Sequence, residues 1–77
     1  TTTIHYRLPR WDRVVLQVMD VQGRLVRTMV DDYVPAGHHT AVWDGRDDGG
    51  QILPSGLYIY RIQFHDRSYA RKFLLMK

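Results

Sequence analysis

The sequence predicts an all-β fold: a small immunoglobulin-like antiparallel β-sandwich of about six to seven strands. Apolar and β-branched residues recur at period two in short runs, and clusters of Gly, Pro and Asp interrupt those runs at roughly the eight-to-twelve-residue spacing of sandwich strands. No window shows the apolar periodicity of an amphipathic helix. At 77 residues the chain is expected to form one domain, residues 1–77. A chain of this size buries only about 60% of its unfolded surface. Its 44% apolar residues therefore serve one thin core, with little room beside it for a deep substrate cavity.

Thr3 to Leu8 alternates, with Ile4, Tyr6 and Leu8 on one side and Thr3, His5 and Arg7 on the other, as a half-buried strand does. Pro9 ends it, because proline lacks a ladder donor and restricts the residue before it. Val14 to Asp20 is apolar on both faces and is expected to be central. Val21-Gln22-Gly23-Arg24 reads as a tight turn with Gly23 at positive φ, joining that strand in a hairpin to Leu25–Val30.

Asp31 and Asp32 then break the pattern, and Pro35-Ala36-Gly37 resets the direction. His39, Ala41 and Trp43 alternate inward along the next strand, with Trp43 as the expected core anchor. Residues 44–56 hold three Asp, four Gly and Pro54, a loop composition. Leu57 to Phe64 is the strongest strand pattern, with Tyr58, Tyr60, Ile62 and Phe64 on one face. His65-Asp66-Arg67-Ser68 is expected to turn into a last strand, Tyr69–Met76, whose run Phe73-Leu74-Leu75-Met76 predicts burial on both sides.

The absence of Cys excludes a disulfide framework, a thiolate zinc site and a cysteine nucleophile, and leaves the compartment undecided. No apolar run approaches the roughly 20 residues that span a bilayer as a helix, and no signal-peptide pattern opens the chain. Thr1-Thr2-Thr3 reads as the end of a linker from an upstream domain. The net charge of +3 comes from nine Arg and two Lys set among eight Asp in mixed order, a mild pull toward an anionic partner.

Chemistry finds few footholds. Asp44, Asp47 and Asp48 beside Gly49 have the oxygens of a calcium loop, but Arg46 stands where an EF-hand needs its second acid and Ser55 where it needs its final Glu. Turn carboxylates bonding their own backbone account for them better. His5, His38, His39 and His65 are zinc-ligand types, yet adjacent His38 and His39 face opposite sides of a strand. His39, Asp44 and Ser55 are triad residue types without a nucleophile elbow or an oxyanion hole. Trp11 between Arg10 and Arg13 has the makings of a sugar- or base-stacking platform, against the simpler role of covering the sandwich end. No metal, cofactor, nucleic acid or enzymatic activity is expected.

Arg61, Arg71, Lys72 and Lys77 are expected to share the last two strands as a basic edge. Such an edge suits anionic lipopolysaccharide or an acidic receptor, and equally guards the sheet against aggregation.

In order, the chain carries Tyr6-Arg7-Leu8-Pro9, then Val18-Met19-Asp20-Val21-Gln22-Gly23-Arg24-Leu25-Val26-Arg27, then Pro35-Ala36-Gly37-His38. Trp43-Asp44-Gly45-Arg46-Asp47-Asp48-Gly49-Gly50, Leu53-Pro54-Ser55-Gly56-Leu57-Tyr58 and Arg71-Lys72-Phe73-Leu74-Leu75-Met76-Lys77 follow. This pattern resembles the C-terminal sorting domains of the bacterial type IX secretion system, and is equally similar to the immunoglobulin-like domain of the flagellar hook-capping protein. The first resemblance implies a non-catalytic address that directs an upstream passenger domain in the same chain through the outer-membrane type IX machinery to the cell surface. In it Arg71, Lys72, Phe73, Leu74, Leu75, Met76 and Lys77 are the sorting signal, and Trp43, Asp44, Gly45, Asp47, Asp48, Gly49, Pro54, Gly56 and Tyr58 form the family-motif loop. The alternative is an accessory carbohydrate-binding or structural module of an extracellular enzyme or a hook-capping-like protein.

Overall fold

A computed structural model describes residues 1–76; the expected signal residue Lys77 lies outside the described residues. Six antiparallel strands form two sheets: β1 (Thr2–Leu8) with β4 (Gly37–Trp43), and β3 (Leu25–Val34), β2 (Asp12–Asp20), β5 (Gly56–Phe64) and β6 (Arg67–Leu75) in the order β3-β2-β5-β6. The all-β sandwich holds, without a helix among the described residues.

The alternation read from the residues sets the layers. Ile4 and Leu8 of β1 face Val14, Leu16 and Val18 of β2, all at 3% exposure or less, while β2 occupies the central position its two apolar faces require. The interior divides into one cluster of Ile4, Leu8, Val14, Leu16 and Ile62 and another of Val18, Trp43, Tyr58 and Leu75. Tyr60 and Met29 pack against both.

The β2–β3 turn is tied by Asp20, whose carboxylate accepts the Gln22 and Arg24 amides at 3.0 Å each and the Arg24 guanidinium at 3.1 Å. The Arg24 amide foremost holds that carboxyl below its ordinary range. Gly23 takes φ 84°, a value costly for any residue with a Cβ.

Three expectations need correction. Asp31 and Asp32 do not end β3, which runs on to Val34 with Asp31 opposite Val15 and Asp32 opposite Val14. On an edge strand both carboxylates stay solvated, and Asp31 pairs with Arg13, so the β2 ladder carries them through. The last turn is only His65 and Asp66, with His65 at φ 56°, and Arg67 and Ser68 already pair with Phe64 and Gln63. The end of β6 is buried on one side: Leu75 is buried and Phe73 half-buried, whereas Leu74 is 56% and Met76 73% exposed, because strict alternation sends them outward.

Candidate functional site

The family-motif residues converge on one pole of the sandwich. Trp43, the last residue of β4, is fully buried, with the rings of Tyr58 and Phe73 edge-on to it at 5.2 and 5.6 Å. Its indole N–H donates to the Arg46 carbonyl at 2.9 Å, which requires the chain to fold back at once. Buried Gly45 at φ 78° supplies that reversal, and the Asp44 carboxylate accepts the Arg46 amide at 3.0 Å.

Beyond Arg46 the loop closes on itself. Arg46 bridges Ile52, and the Asp47 carboxylate accepts the Gln51 amide at 2.9 Å. The Leu53 amide donates to the Gly45 carbonyl at 2.9 Å, and the Arg46 guanidinium to the Gly50 carbonyl at 3.0 Å. At Gly49 a Cβ would stand 3.4 Å from the Asp47 carboxylate, at ordinary van der Waals contact. Leu53-Pro54-Ser55-Gly56 then leads to Tyr58, whose hydroxyl donates back to the Pro54 carbonyl at 2.7 Å.

The loop is also docked onto the free edge of β3. The Asp48 amide donates to the Val26 carbonyl at 2.9 Å, and the Asp48 carboxylate accepts the Thr28 amide at 3.0 Å. Arg27 reaches across to the Asp44 carboxylate at 3.3 Å, the Arg46 carbonyl at 3.2 Å and the Asp48 carboxylate at 3.8 Å. Arg27 is the residue that sequence reasoning missed. It stands on a half-buried strand 17 residues before Asp44, and no local spacing announces such a contact. Chemically this is a clasp: all three carboxylates hold backbone amides, and two of them also face Arg27.

The other candidates lie apart. His39 bonds the Pro35 carbonyl at 2.6 Å and stacks on Tyr6, His5 meets Thr40 at 3.5 Å, and His65 sits beside Arg10 on a different turn. Among the described residues no group of three or more His, Asp or Glu is arranged to hold a metal. Trp11 stacks at 4.7 Å on Tyr33, which covers one face of the ring.

Arg71 to Leu75 are the second half of β6. The expected basic edge is divided: Arg71 and Lys72 are adjacent on a strand and face opposite sides, while Arg61 lies on central β5 and donates to Gln17 at 3.1 Å. Arg71 instead borders a cleft of about 440 Å³ between β1 and β6, walled by Ile4 to Arg7 and Tyr69 to Arg71 and floored by Tyr60, Ile62 and Phe64. Phe64 and Tyr69 also line a second cleft of about 660 Å³ that continues toward Arg10, Asp12 and Arg67. Burial raises the Tyr6 phenol above its ordinary range.

A family model described as the FlgD Ig-like domain matches residues 2–67. The basal-body rod modification protein FlgD of Salmonella typhimurium is 40% identical over 47 residues, covering 61% of this chain and 20% of that protein. Its counterpart from Salmonella typhi matches to the same extent. A crystal structure of FlgD from P. aeruginosa superposes with TM-score 0.75 and 28% identity over 94% of this chain and 59% of that one. The chain thus spans about a fifth of the length of the curated relatives it matches.

These matches overturn the sorting expectation. The relatives are named for basal-body rod modification, so type IX machinery as partner, lipopolysaccharide attachment and a cell-surface destination reached through the outer membrane are all withdrawn. The six residues from Arg71 to Met76 follow the matched segment, and five of them belong to a strand that the sandwich needs whatever its task.

Proposed function

The chain belongs to the FlgD Ig-like domain family, and from that premise we propose that it is a non-catalytic structural module of a hook-capping protein. Its task is to present a rigid β-sandwich surface to hook and rod subunits during flagellar assembly. The observation that carries this reading is the closure of the Trp43 pole. The residues that mark the pattern spend their hydrogen bonds inside the fold, with the Asp44, Asp47 and Asp48 carboxylates held by the backbone amides of Arg46, Gln51 and Thr28. Residues used in this way build shape, and shape is what an assembly module offers its neighbours.

The test is a replacement in a flagellated bacterium, with residues 1–77 substituted for the corresponding domain of its own FlgD. Hooks counted by electron microscopy are expected on cells carrying the chimera, and to be lost when Trp43→Ala unfolds the module. A chimera present at normal level, with the module folded, that builds no hooks would refute the proposal.

A further inference from the structure

We propose that the cleft between β1 and β6 receives an acidic, extended segment of a partner protein, which joins the domain as an added β-strand. This goes beyond the flagellar reading and does not depend on it.

Both walls of the cleft are free ladder edges. Among the described residues β1 pairs only with β4 and β6 only with β5, whereas the outer edge of β3 is partly closed by the Asp48 loop. The lining carries the same message. Successive side chains of a strand point to opposite faces, so a cleft bordered by the consecutive residues Ile4 to Arg7 and Tyr69 to Arg71 is bordered by strand edges and not by one face alone. Unpaired N–H and C=O groups along such edges are the template for strand addition. Between them Tyr60, Ile62 and Phe64 make a largely apolar floor for every second side chain of an incoming strand.

Charge selects the occupant. Arg7 and Arg71 are exposed on the two walls, no acid lines this cleft, and its continuation adds Arg10 and Arg67 against the single carboxylate of Asp12. A second copy of the chain is disfavoured, because neither β1 (TTIHYRL) nor β6 (RSYARKFLL) contains an acid, so edge-to-edge pairing of copies through them leaves the Arg and Lys charges uncompensated. A segment alternating apolar and acidic residues satisfies the floor, the walls and the backbone together.

The probe is a fluorescein-labelled peptide of 9 residues, the length of β6, alternating Val and Glu. It is titrated into the full chain by fluorescence anisotropy, with amide exchange followed by NMR. Saturable binding is expected, with slowed exchange at β1 or β6 amides bordering the cleft. Affinity should fall about tenfold in Arg7→Glu/Arg71→Glu, whose sites are exposed and whose melting temperature should be unchanged. A peptide alternating Pro and Glu, which keeps the charge but offers no proline N–H, should not bind. The proposal is overturned by absence of saturation, by equal binding to the charge-reversed variant, or by equally tight binding of polyglutamate or single-stranded DNA without protection of those amides. That last outcome would mark simple anion attraction.

Discussion

Tyr58 reaches back four residues to the Pro54 carbonyl while its ring packs against Trp43, so one side chain ties a loop to the core. Removing only the hydroxyl, in Tyr58→Phe, should cost about 0.5–1.5 kcal/mol. Urea or thermal unfolding checks it, since about 1 kcal/mol lowers the melting temperature of a domain this size by roughly 4–8 °C. An unchanged midpoint would show that the bond contributes nothing net. Trp43 and Tyr58 were legible beforehand, because large aromatics on the inward positions of alternating strands have few other places to go. Arg27 was not: its three partners come from a loop that folds onto β3 from beyond β4, and strand periodicity does not report contacts at that separation.

At the scale of the elements, β3 departs most from its sequence pattern. Its pairing with β2 shifts register between Leu16 and Gln17 and again between Val18 and Met19, which leaves Met29 and Val26 without opposite residues. Both pack against the core, an arrangement simple alternation does not foretell. The Thr28 amide, on the outer edge of β3, donates to the Asp48 carboxylate, and this bond fastens the motif loop to the sheet. In Asp48→Ala, hydrogen exchange at Thr28 should quicken while amides in the β2–β5 ladder keep their protection; unchanged exchange at Thr28 would show that the docking does not need the carboxylate. The end of β3 and the start of β6 were misjudged for one reason. Composition marked Asp31, Asp32 and Arg67 as breakers, but on edge strands their side chains reach water while the ladder continues.

The whole molecule has two buried clusters, yet the same strands and flanking side chains serve both. β2 places Val14 and Leu16 in one and Val18 in the other, β5 divides Ile62 and Tyr58 likewise, and Tyr60 and Met29 touch both. Unfolding should therefore be two-state, with NMR methyl signals of Leu8 and Leu75, one from each cluster, lost at the same urea concentration. Separate midpoints would show independent units. The same integration explains why function was harder to read than fold. Trp43-Asp44-Gly45 and Leu53-Pro54-Ser55-Gly56-Leu57-Tyr58 build the pole of the sandwich, so any families that share this pole share the landmarks, whatever each attaches to it.

That pole also gathers the two ends of the described fold. Thr2 lies opposite Trp43, and Leu75 packs in the Trp43 cluster opposite Gly56. Tension applied between Thr2 and Leu75 pulls across the strands, so β1 peels from β4 and β6 from β5 one residue pair at a time. The sandwich therefore yields early to force applied between Thr2 and Leu75, whatever its resistance to force in other directions.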